Sequence, residues 1–195
     1  MARISDPAKL ENIKKATVSM IVEKGYGGAS ISAIAAKAGV ADGYLYRHYP
    51  SKTELVRDLF SESTAMFFDY LQKELEHYTT FTDFITRYHR GLVDLINEKT
   101  DHAKFFIQLI NDFTFEIDET AKQSILDLCH RTLERGQRDH EIPATCSSLD
   151  IYTVMVIVPL QIFSLYLKGF FGKITPDGKT AAMVTHTCLK LIRPS

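Results

Sequence analysis

The stretch that decides the fold is residues 29–52, which read ASISAIAAKAGVADGYLYRHYPSK. Isoleucine and alanine recur at helical spacing in its first part, and Ser30 stands where its hydroxyl can cap the first turn. Gly39 follows as a residue that can adopt positive φ and end a helix. The spacing therefore predicts a short helix over Ile31–Ala38.

A second short helix follows the glycine turn. Val40 and Leu45 fall on its inward side, and the remaining residues form an exposed face that is too small and varied for a core. We call this face the recognition face; it consists of Ala41, Asp42, Gly43, Tyr44, Arg47 and His48. Two short helices joined by a tight turn are typical of a helix-turn-helix that enters DNA. The next helix begins at Ser51, where Glu54 completes a capping-box pattern and Lys52 lies in the first turn.

These residues resemble the tetracycline-repressor (TetR) family of bacterial transcription regulators, whose members carry a pattern close to I-A-x-x-A-G-V-x-x-G-x-L-Y-x-H/Y-F-x-S/N-K. The positions in register are Ile34, Ala35, Ala38, Gly39, Val40, Gly43, Leu45, Tyr46, His48, Tyr49, Ser51 and Lys52. The resemblance covers about the first third of the chain. It implies an all-α fold of about nine helices, with a three-helix helix-turn-helix head on a larger helical body for ligand binding and dimerisation.

The resemblance also implies contacts with double-stranded DNA. Ser30, Tyr46 and Lys52 stand like the family's phosphate contacts, which hold register without reading sequence. Base edges would be read by Ser32, Asp42, Tyr44 and His48, while Arg47 suits either purpose. Ala41 and Gly43 complete the face, and Gly43 permits close approach of the backbone. Packing explains Tyr46 as well as a phosphate contact does, and it explains Tyr49 better.

The chain departs from the family pattern at two positions of the recognition face. Many relatives carry Ser-Lys where this chain has Ala41-Asp42, and a small threonine where it has Tyr44. A carboxylate near DNA repels phosphate, so Asp42 must reach a cytosine amino group, bond to neighbouring protein or point away. The operator sequence is therefore not readable from this helix.

Charge and cysteine content fit a regulator in the cytoplasm. The first 60 residues carry nine basic and six acidic side chains, a net charge of +3, and the remainder carries −4. A mildly basic head on a mildly acidic body is typical of a duplex-facing unit, and two copies would strengthen the attraction. The three cysteines are odd in number and widely spaced, which favours reduced thiols. No apolar leader with a cleavage site opens the chain, so we expect no export signal.

Caps and periodicity predict the remaining helices and two domains. The expected helices cover residues 7–24, 51–77, 81–99, 102–111, 119–140, 149–171 and 176–192, besides the two short ones. We assign residues 1–50 to the DNA-binding domain and residues 51–195 to the ligand-binding and dimerisation domain, with the helix from Ser51 linking the two.

The most apolar run, residues 154–163, has both a membrane and a soluble interpretation. A bilayer span needs roughly 20 consecutive apolar residues, and this run contains Pro159 and Gln161 and is flanked by Asp150 and Lys168. We therefore expect no membrane partner but a buried or dimer-forming helix, kinked at Pro159. The last helix offers a complementary face of small residues. A homodimer through the last two helices is favoured over burial within one subunit, because two-fold symmetry suits paired DNA half-sites.

The body also offers residues for an apolar ligand pocket. The candidates are Phe84, Tyr88, Phe105, Gln108, Leu109, Phe113, Cys129, Met155 and Phe163. Such a lining favours a hydrophobic or aromatic small molecule whose polar end could meet Gln108, His89 or Asn111. Aromatic residues at helical spacing are more often plain core, and the effector itself is not identified.

Two other classes of function, a metal-carboxylate enzyme and a protein-interaction module, are alternatives to a DNA-binding regulator. Glu74 with His77 and Asp127 with His130 have the i, i+3 spacing of di-iron helix bundles, but further inward carboxylates are missing, so we expect no metal, no cofactor and no catalytic residues. A helical protein-interaction module would keep the caps without requiring Tyr46, His48 and Lys52 together. The favoured function is a ligand-responsive repressor that binds a palindromic operator as a homodimer.

Overall fold

The computed structural model describes residues 6–192, apart from the side chain of Met66. Over these residues the chain forms nine helices and no strand, which confirms the predicted all-α class. The helices are α1 (Pro7–Gly28), α2 (Ile31–Ala38), α3 (Asp42–His48), α4 (Lys52–His77), α5 (Phe81–Glu98), α6 (Thr100–Ile110), α7 (Glu119–Arg138), α8 (Ser148–Leu167) and α9 (Gly178–Ile192).

Local capping chemistry sets the ends of the first helices. The Asp6 carboxylate accepts from the Ala8 N–H at 3.1 Å, and the Ser30 hydroxyl accepts from the Ala33 N–H at 3.2 Å. Gly39 takes the left-handed conformation at φ 69° and ends α2. Gly25, with φ 75°, breaks the helical path near the predicted end of α1, but one further turn follows to Gly28.

The chain divides into two compact units, each with its own core. The first unit takes in the chain up to Ser63 together with Asp101–Asp118, so α6 belongs with the three head helices and the start of α4. Phe105, Leu109 and Phe115 are buried in the same core as Leu45 and Phe60. The predicted domain 51–195 includes α6 in the body. The two assignments of α6 differ because helical periodicity does not identify the partner of an apolar face.

The second unit comprises Thr64–Thr100 and the chain from Glu119 onward. In this unit α5 packs along α9. The buried side chains come from the second part of α4 and from α5, α7, α8 and α9, and include Phe84, Leu128, Phe163 and Val184.

Pro159 changes the hydrogen-bond pattern of α8, as its predicted kink implied. The helix is α-helical over Ser148–Tyr152, forms a π-helical turn over Thr153–Ile157 and is α-helical again over Val158–Leu167. The Val158 N–H bonds to the Thr153 carbonyl, five residues back. Pro159 has no N–H for the Met155 carbonyl. The helix ends at Leu167 and not at the predicted Phe171, because the chain turns at Gly169 with φ 70°.

Helix α8 is also long and apolar enough, by length and composition alone, to cross a membrane. Its 20 residues reach a mean hydropathy of 1.7 over an 18-residue window, and a third of that window is buried inside the protein. Core helices of soluble proteins satisfy the same criterion. The burial of Val154, Met155 and Phe163 favours packing within the protein.

Candidate nucleic-acid interface and apolar cavity

Helix α3 is anchored by one apolar side chain and leaves most of its surface open. Leu45 is fully buried in the core of the first unit. Asp42, Gly43 and Arg47 are exposed, and Tyr46 is 51% exposed. Tyr46 therefore lies at the surface, and of the two alternatives weighed for it, core packing is wrong. The open surface remains available to a partner, as the interpretation of α3 as a recognition helix requires.

Tyr44 and His48 are held on the flank of α3 that faces α1. The Tyr44 hydroxyl accepts from the Asp6 N–H at 3.3 Å, and its ring lies 4.9 Å from the His48 ring. The Lys9 ammonium lies 5.4 Å from the centre of the Tyr44 ring. Both side chains are half-buried, so only part of each ring is accessible to a partner. Their predicted contacts with bases stay predictions.

Asp42 bonds to neighbouring protein, which was one of the three possibilities for this carboxylate. The Ser32 hydroxyl of α2 donates to Asp42 Oδ2, and both side chains remain exposed. The first turn of α2 and the first turn of α3 are thereby tied together at the surface. Ala41, which precedes α3, is exposed beside them.

Two of the three predicted phosphate contacts, Lys52 and Ser30, have partners within the protein. The Lys52 ammonium donates to the Tyr26 carbonyl at 2.7 Å and lies 4.3 Å from the centre of the Tyr26 ring. Ser30 uses its hydroxyl as the cap of α2. Tyr49 is half-buried, as expected, and its hydroxyl donates to Asp58 at 2.8 Å. Burial and the Asp58 carboxylate raise the pKa of Tyr49 above its usual range.

The second unit contains a small apolar cavity of about 10 Å³, on the order of one water molecule. Of the predicted pocket residues, Tyr88, Cys129 and Met155 line it. The other lining residues are Phe67, Phe68, Leu71, Ile125, Leu128 and Val156. The three lining residues from α4 are not among the predicted pocket residues, although they share a face of that helix at i, i+1 and i+4, a spacing that could have pointed to them.

The other predicted pocket residues lie outside this cavity lining. Phe84 and Phe163 are buried in the second unit, while Phe105 and Leu109 belong to the core of the first. Gln108 donates to the Val22 carbonyl at 3.5 Å in the first unit, and Phe113 is fully exposed. A ligand role for these six residues stays a prediction.

A buried polar network adjoins the cavity and satisfies the carbonyls that the π-helical turn leaves free. The Tyr88 hydroxyl donates to the Met155 carbonyl, which Pro159 cannot serve. His89 Nε2 lies 3.3 Å from the Val154 carbonyl, and Nδ1 lies 3.0 Å from the Thr185 hydroxyl. The Cys188 thiol contacts the same Val154 carbonyl at 3.5 Å.

Burial controls the ionisation of this network. Desolvation lowers the pKa of His89 to about 4, so the imidazole is neutral at pH 7. Desolvation also raises the pKa of Cys129 and of Cys188 to about 11, which keeps both as thiols. None of these groups is charged at neutral pH, as suits a lining for an apolar ligand.

The pairs at metal-ligand spacing have other partners. Glu74 lies 3.6 Å from Arg87, and His77 Nδ1 lies 2.7 Å from the Lys73 carbonyl. Asp127 accepts from Gln123 at 2.8 Å, and His130 lies 3.2 Å from Glu134. Across residues 6–192 the structure contains no group of three or more His, Cys, Asp or Glu side chains able to hold a metal ion.

Comparison with known proteins agrees with the geometry of the head. Residues 13–59 match the family described as bacterial regulatory proteins, tetR family. The chain is 33% identical to the fatty acid metabolism regulator protein of Bacillus subtilis over 72 residues, 37% of each chain. It is 27% identical over 144 residues to the uncharacterized HTH-type transcriptional regulator YvdT of Bacillus subtilis, covering 69% of this chain and 70% of that one.

Solved structures extend the likeness of the fold to nearly the whole chain. The transcriptional regulator FadR from Bacillus subtilis, solved in complex with stearoyl-CoA, aligns with a TM-score of 0.78 at 19% identity over 95% of this chain and 98% of that one. The fatty acid degradation regulator FadR from Bacillus halodurans aligns with a TM-score of 0.77 at 21% identity over 98% of both chains.

The three-helix head agrees with the family match over residues 13–59, and both relatives are described as regulators. Over these residues the chain resembles TetR-family transcriptional regulators, and it shares the fold of the FadR structures over nearly its whole length.

Proposed function

We propose that the chain is a cytoplasmic homodimeric repressor that binds a palindromic operator through α3 and is released by a molecule with a long acyl chain. The exposed outer surface of α3 beside α2 carries the DNA-binding part of this proposal, since Asp42, Gly43, Tyr46 and Arg47 are open to a partner. The basic head supplies the general attraction to phosphate.

Exposed apolar residues in the last two helices support the homodimer. Leu149 and Ile157 of α8 are 67% and 42% exposed, and Met183 and Leu191 of α9 are 45% and 55% exposed. A second copy that covered them would remove this apolar surface from water. Two-fold symmetry would place the two α3 helices on half-sites about one DNA turn apart, 34 to 36 Å.

The cavity of the second unit supports an acyl ligand. Its nine lining residues are apolar or aromatic apart from the Tyr88 hydroxyl and the Cys129 thiol. One neighbour in fold was solved with stearoyl-CoA, and a long hydrocarbon chain matches this lining. The cavity is far smaller than ligand pockets of about 300–1,000 Å³, so a ligand must displace side chains to enter.

Helix α4 supplies the route from ligand to DNA. Its first turns belong to the first unit, and Phe67 and Phe68 of the same helix line the cavity. A ligand that displaced these rings would move the helix that carries the head, and would change the separation of the two α3 helices. Because such coupling is reciprocal, operator DNA would weaken ligand binding by the same factor.

Selection of bound duplexes from a random pool tests DNA binding, with sedimentation measuring the mass of the free protein in parallel. We expect an enriched inverted repeat and a mass of two chains. A protein that enriches no duplex sequence, even at low salt, would support the helical interaction module, and a monomeric mass would remove the homodimer.

Ligand release is tested by displacing the selected duplex with acyl-CoA of increasing chain length, and with free CoA as a control. Each added methylene that enters the cavity contributes about 0.8 kcal/mol, so two methylenes should strengthen binding roughly 15-fold. The F68A variant should bind the acyl chain more tightly, because the chain no longer has to displace that ring. The matched F171A variant, altered at an exposed aromatic outside the cavity lining, should not. Equal affinities in F68A and wild type would place the ligand elsewhere.

A further inference from the structure

We propose that Ser32 and Asp42 act together as a reader of cytosine, at one position in each half of the operator. This inference rests on the proposed binding of DNA by α3, and it assigns a base to a particular pair of side chains.

The hydroxyl hydrogen of Ser32 is already used in a hydrogen bond within the protein. Ser32 Oγ donates its single hydrogen to Asp42 Oδ2. Its lone pairs remain, and Asp42 Oδ1 makes no hydrogen bond within residues 6–192. A carboxylate is acceptor-only, so the pair offers hydrogen-bond acceptors and no donor to anything that approaches from outside.

The Ser32–Asp42 pair is accessible to a partner from outside the protein. Ser32 and Asp42 are both exposed, and they bridge the first turns of α2 and α3. The next residue, Gly43, has open space where a Cβ would stand, with no atom within 4 Å. A base edge can therefore approach Asp42 from the side of Gly43 without meeting a side chain at residue 43. The hydrogen bond from Ser32 also fixes the carboxylate before DNA arrives, which lowers the entropy cost of an ordered contact.

The hydrogen-bond donors and acceptors in the major groove decide which base suits the Ser32–Asp42 pair. Only cytosine N4 and adenine N6 present hydrogen-bond donors there, while guanine O6 and N7 and thymine O4 present lone pairs. Adenine places the N7 lone pair directly beside its amino group, where it repels a second acceptor oxygen. Cytosine carries C5–H and no acceptor beside N4 on its own ring, so an acceptor-only pair favours cytosine over the other three bases.

Asp42 also has a simpler structural role that makes a different prediction. It lies in the first turn of α3, where a negative charge stabilises the helix dipole by about 0.3–1 kcal/mol. If that were its whole role, its replacement would lower stability and leave the selected bases unchanged. Base preference therefore separates the two roles.

The test is a set of parallel selections from one random duplex pool with wild type, D42N, S32A and E11Q. Wild type should enrich cytosine at one symmetry-related position. D42N should lose that cytosine and gain adenine, because a carboxamide pairs with adenine N6 and N7. S32A should weaken the cytosine preference. E11Q, which makes the same charge change at an exposed carboxylate of α1 paired with Lys15, should retain it.

Affinities for single-base variants of the enriched duplex complete the test. Replacing the cytosine by thymine should weaken wild-type binding roughly 5- to 150-fold and weaken D42A binding little. If D42N does not fold, D42E decides, since it keeps the charge and moves the carboxylate by one methylene, and it should also lose the preference. If wild type, D42N and D42E all enrich the same duplex sequence, the inference is overturned and DNA binding stands. No enrichment by any protein would overturn the proposed function itself.

Discussion

Lys52 shows how one residue in the head can serve both the fold and DNA. Its ammonium holds the Tyr26 carbonyl after the glycine break in α1 and covers the Tyr26 ring, whose hydroxyl in turn lies 3.0 Å from Thr53. The side chain is half-buried, so a positive charge remains near the surface. The family resemblance assigns this lysine to phosphate, and the structure shows its contacts with the protein.

The K52A variant separates these two roles. Loss of the contacts to Tyr26 should lower the free energy of unfolding by about 0.5–1.5 kcal/mol, measured by chemical denaturation. Loss of one phosphate contact should reduce the slope of log affinity for duplex against log salt by about one. The K15A variant, with the same charge change on α1, should alter neither much. An unchanged salt slope in K52A would leave this lysine a purely structural role.

His89 should give the protein a pH-dependent stability. Burial lowers its pKa from 6.5 to about 4 in the folded chain, so the unfolded chain binds more protons between these two values. Stability should therefore rise with pH across this range and fall as the solution is acidified from pH 6.5 towards 4. The full effect is on the order of 3 kcal/mol.

Chemical denaturation of wild type and H89Q at several pH values tests this prediction. The difference between their unfolding free energies should shrink from pH 7 to pH 4, because only wild type carries the buried imidazole. Exposed carboxylates contribute alike to both proteins and cancel in the difference. A difference that stays constant with pH would show that His89 titrates alike in the folded and unfolded chains.

At the scale of elements, the disrupted hydrogen-bond pattern of α8 follows from its own sequence, whereas the donors that satisfy its free carbonyls do not. Pro159 predicts a lost hydrogen bond, and the structure shows the resulting π-helical turn over Thr153–Ile157. The residues that serve the freed carbonyls, Tyr88 and His89, come from α5, more than 60 positions away. Periodicity within α8 contains no signal for a donor on another helix.

A double-mutant cycle tests whether Tyr88 replaces the donor that Pro159 lacks. Y88F alone should destabilise the protein by about 1–3 kcal/mol, because the buried Met155 carbonyl loses its hydrogen bond. In a P159A background the alanine N–H can serve that carbonyl, so the same change should cost less. Y152F, which removes a hydroxyl from a half-buried tyrosine of α8, is the control. Equal costs in both backgrounds would show that the two sites are not coupled.

In the head and the body too, the ends of helices depend on nearby residues, whereas packing depends on residues far apart in the sequence. Ser30, Gly39 and Ser51 act on backbone within a few residues, so the limits of α2 and the start of α4 could be predicted closely. The place of α6 in the core of the first unit depends on Phe105 meeting residues from distant helices. Of the predicted pocket residues, Tyr88, Cys129 and Met155 line the cavity and the others do not, because aromatic and apolar residues at helical spacing suit both a lining and a plain core.

At the scale of the whole molecule, the proposed function couples a head that binds DNA to a body that binds an apolar ligand, with α4 common to both. Net charge changes sign between the two parts of the sequence, from +3 over the first 60 residues to −4 over the rest. Such a distribution favours approach of the head to a duplex and disfavours approach of the body. Paired heads in a dimer would double the number of basic side chains that meet one operator.

The most direct measurement is dimethyl sulfate protection of the selected duplex, which reports guanine N7 in the major groove and adenine N3 in the minor groove. The account predicts two patches of protected guanine N7, with centres 10–10.5 base pairs apart, and loss of protection on adding a long-chain acyl-CoA. A single patch, or protection of adenine N3 alone, would contradict the claim that two α3 helices read the major groove of one operator.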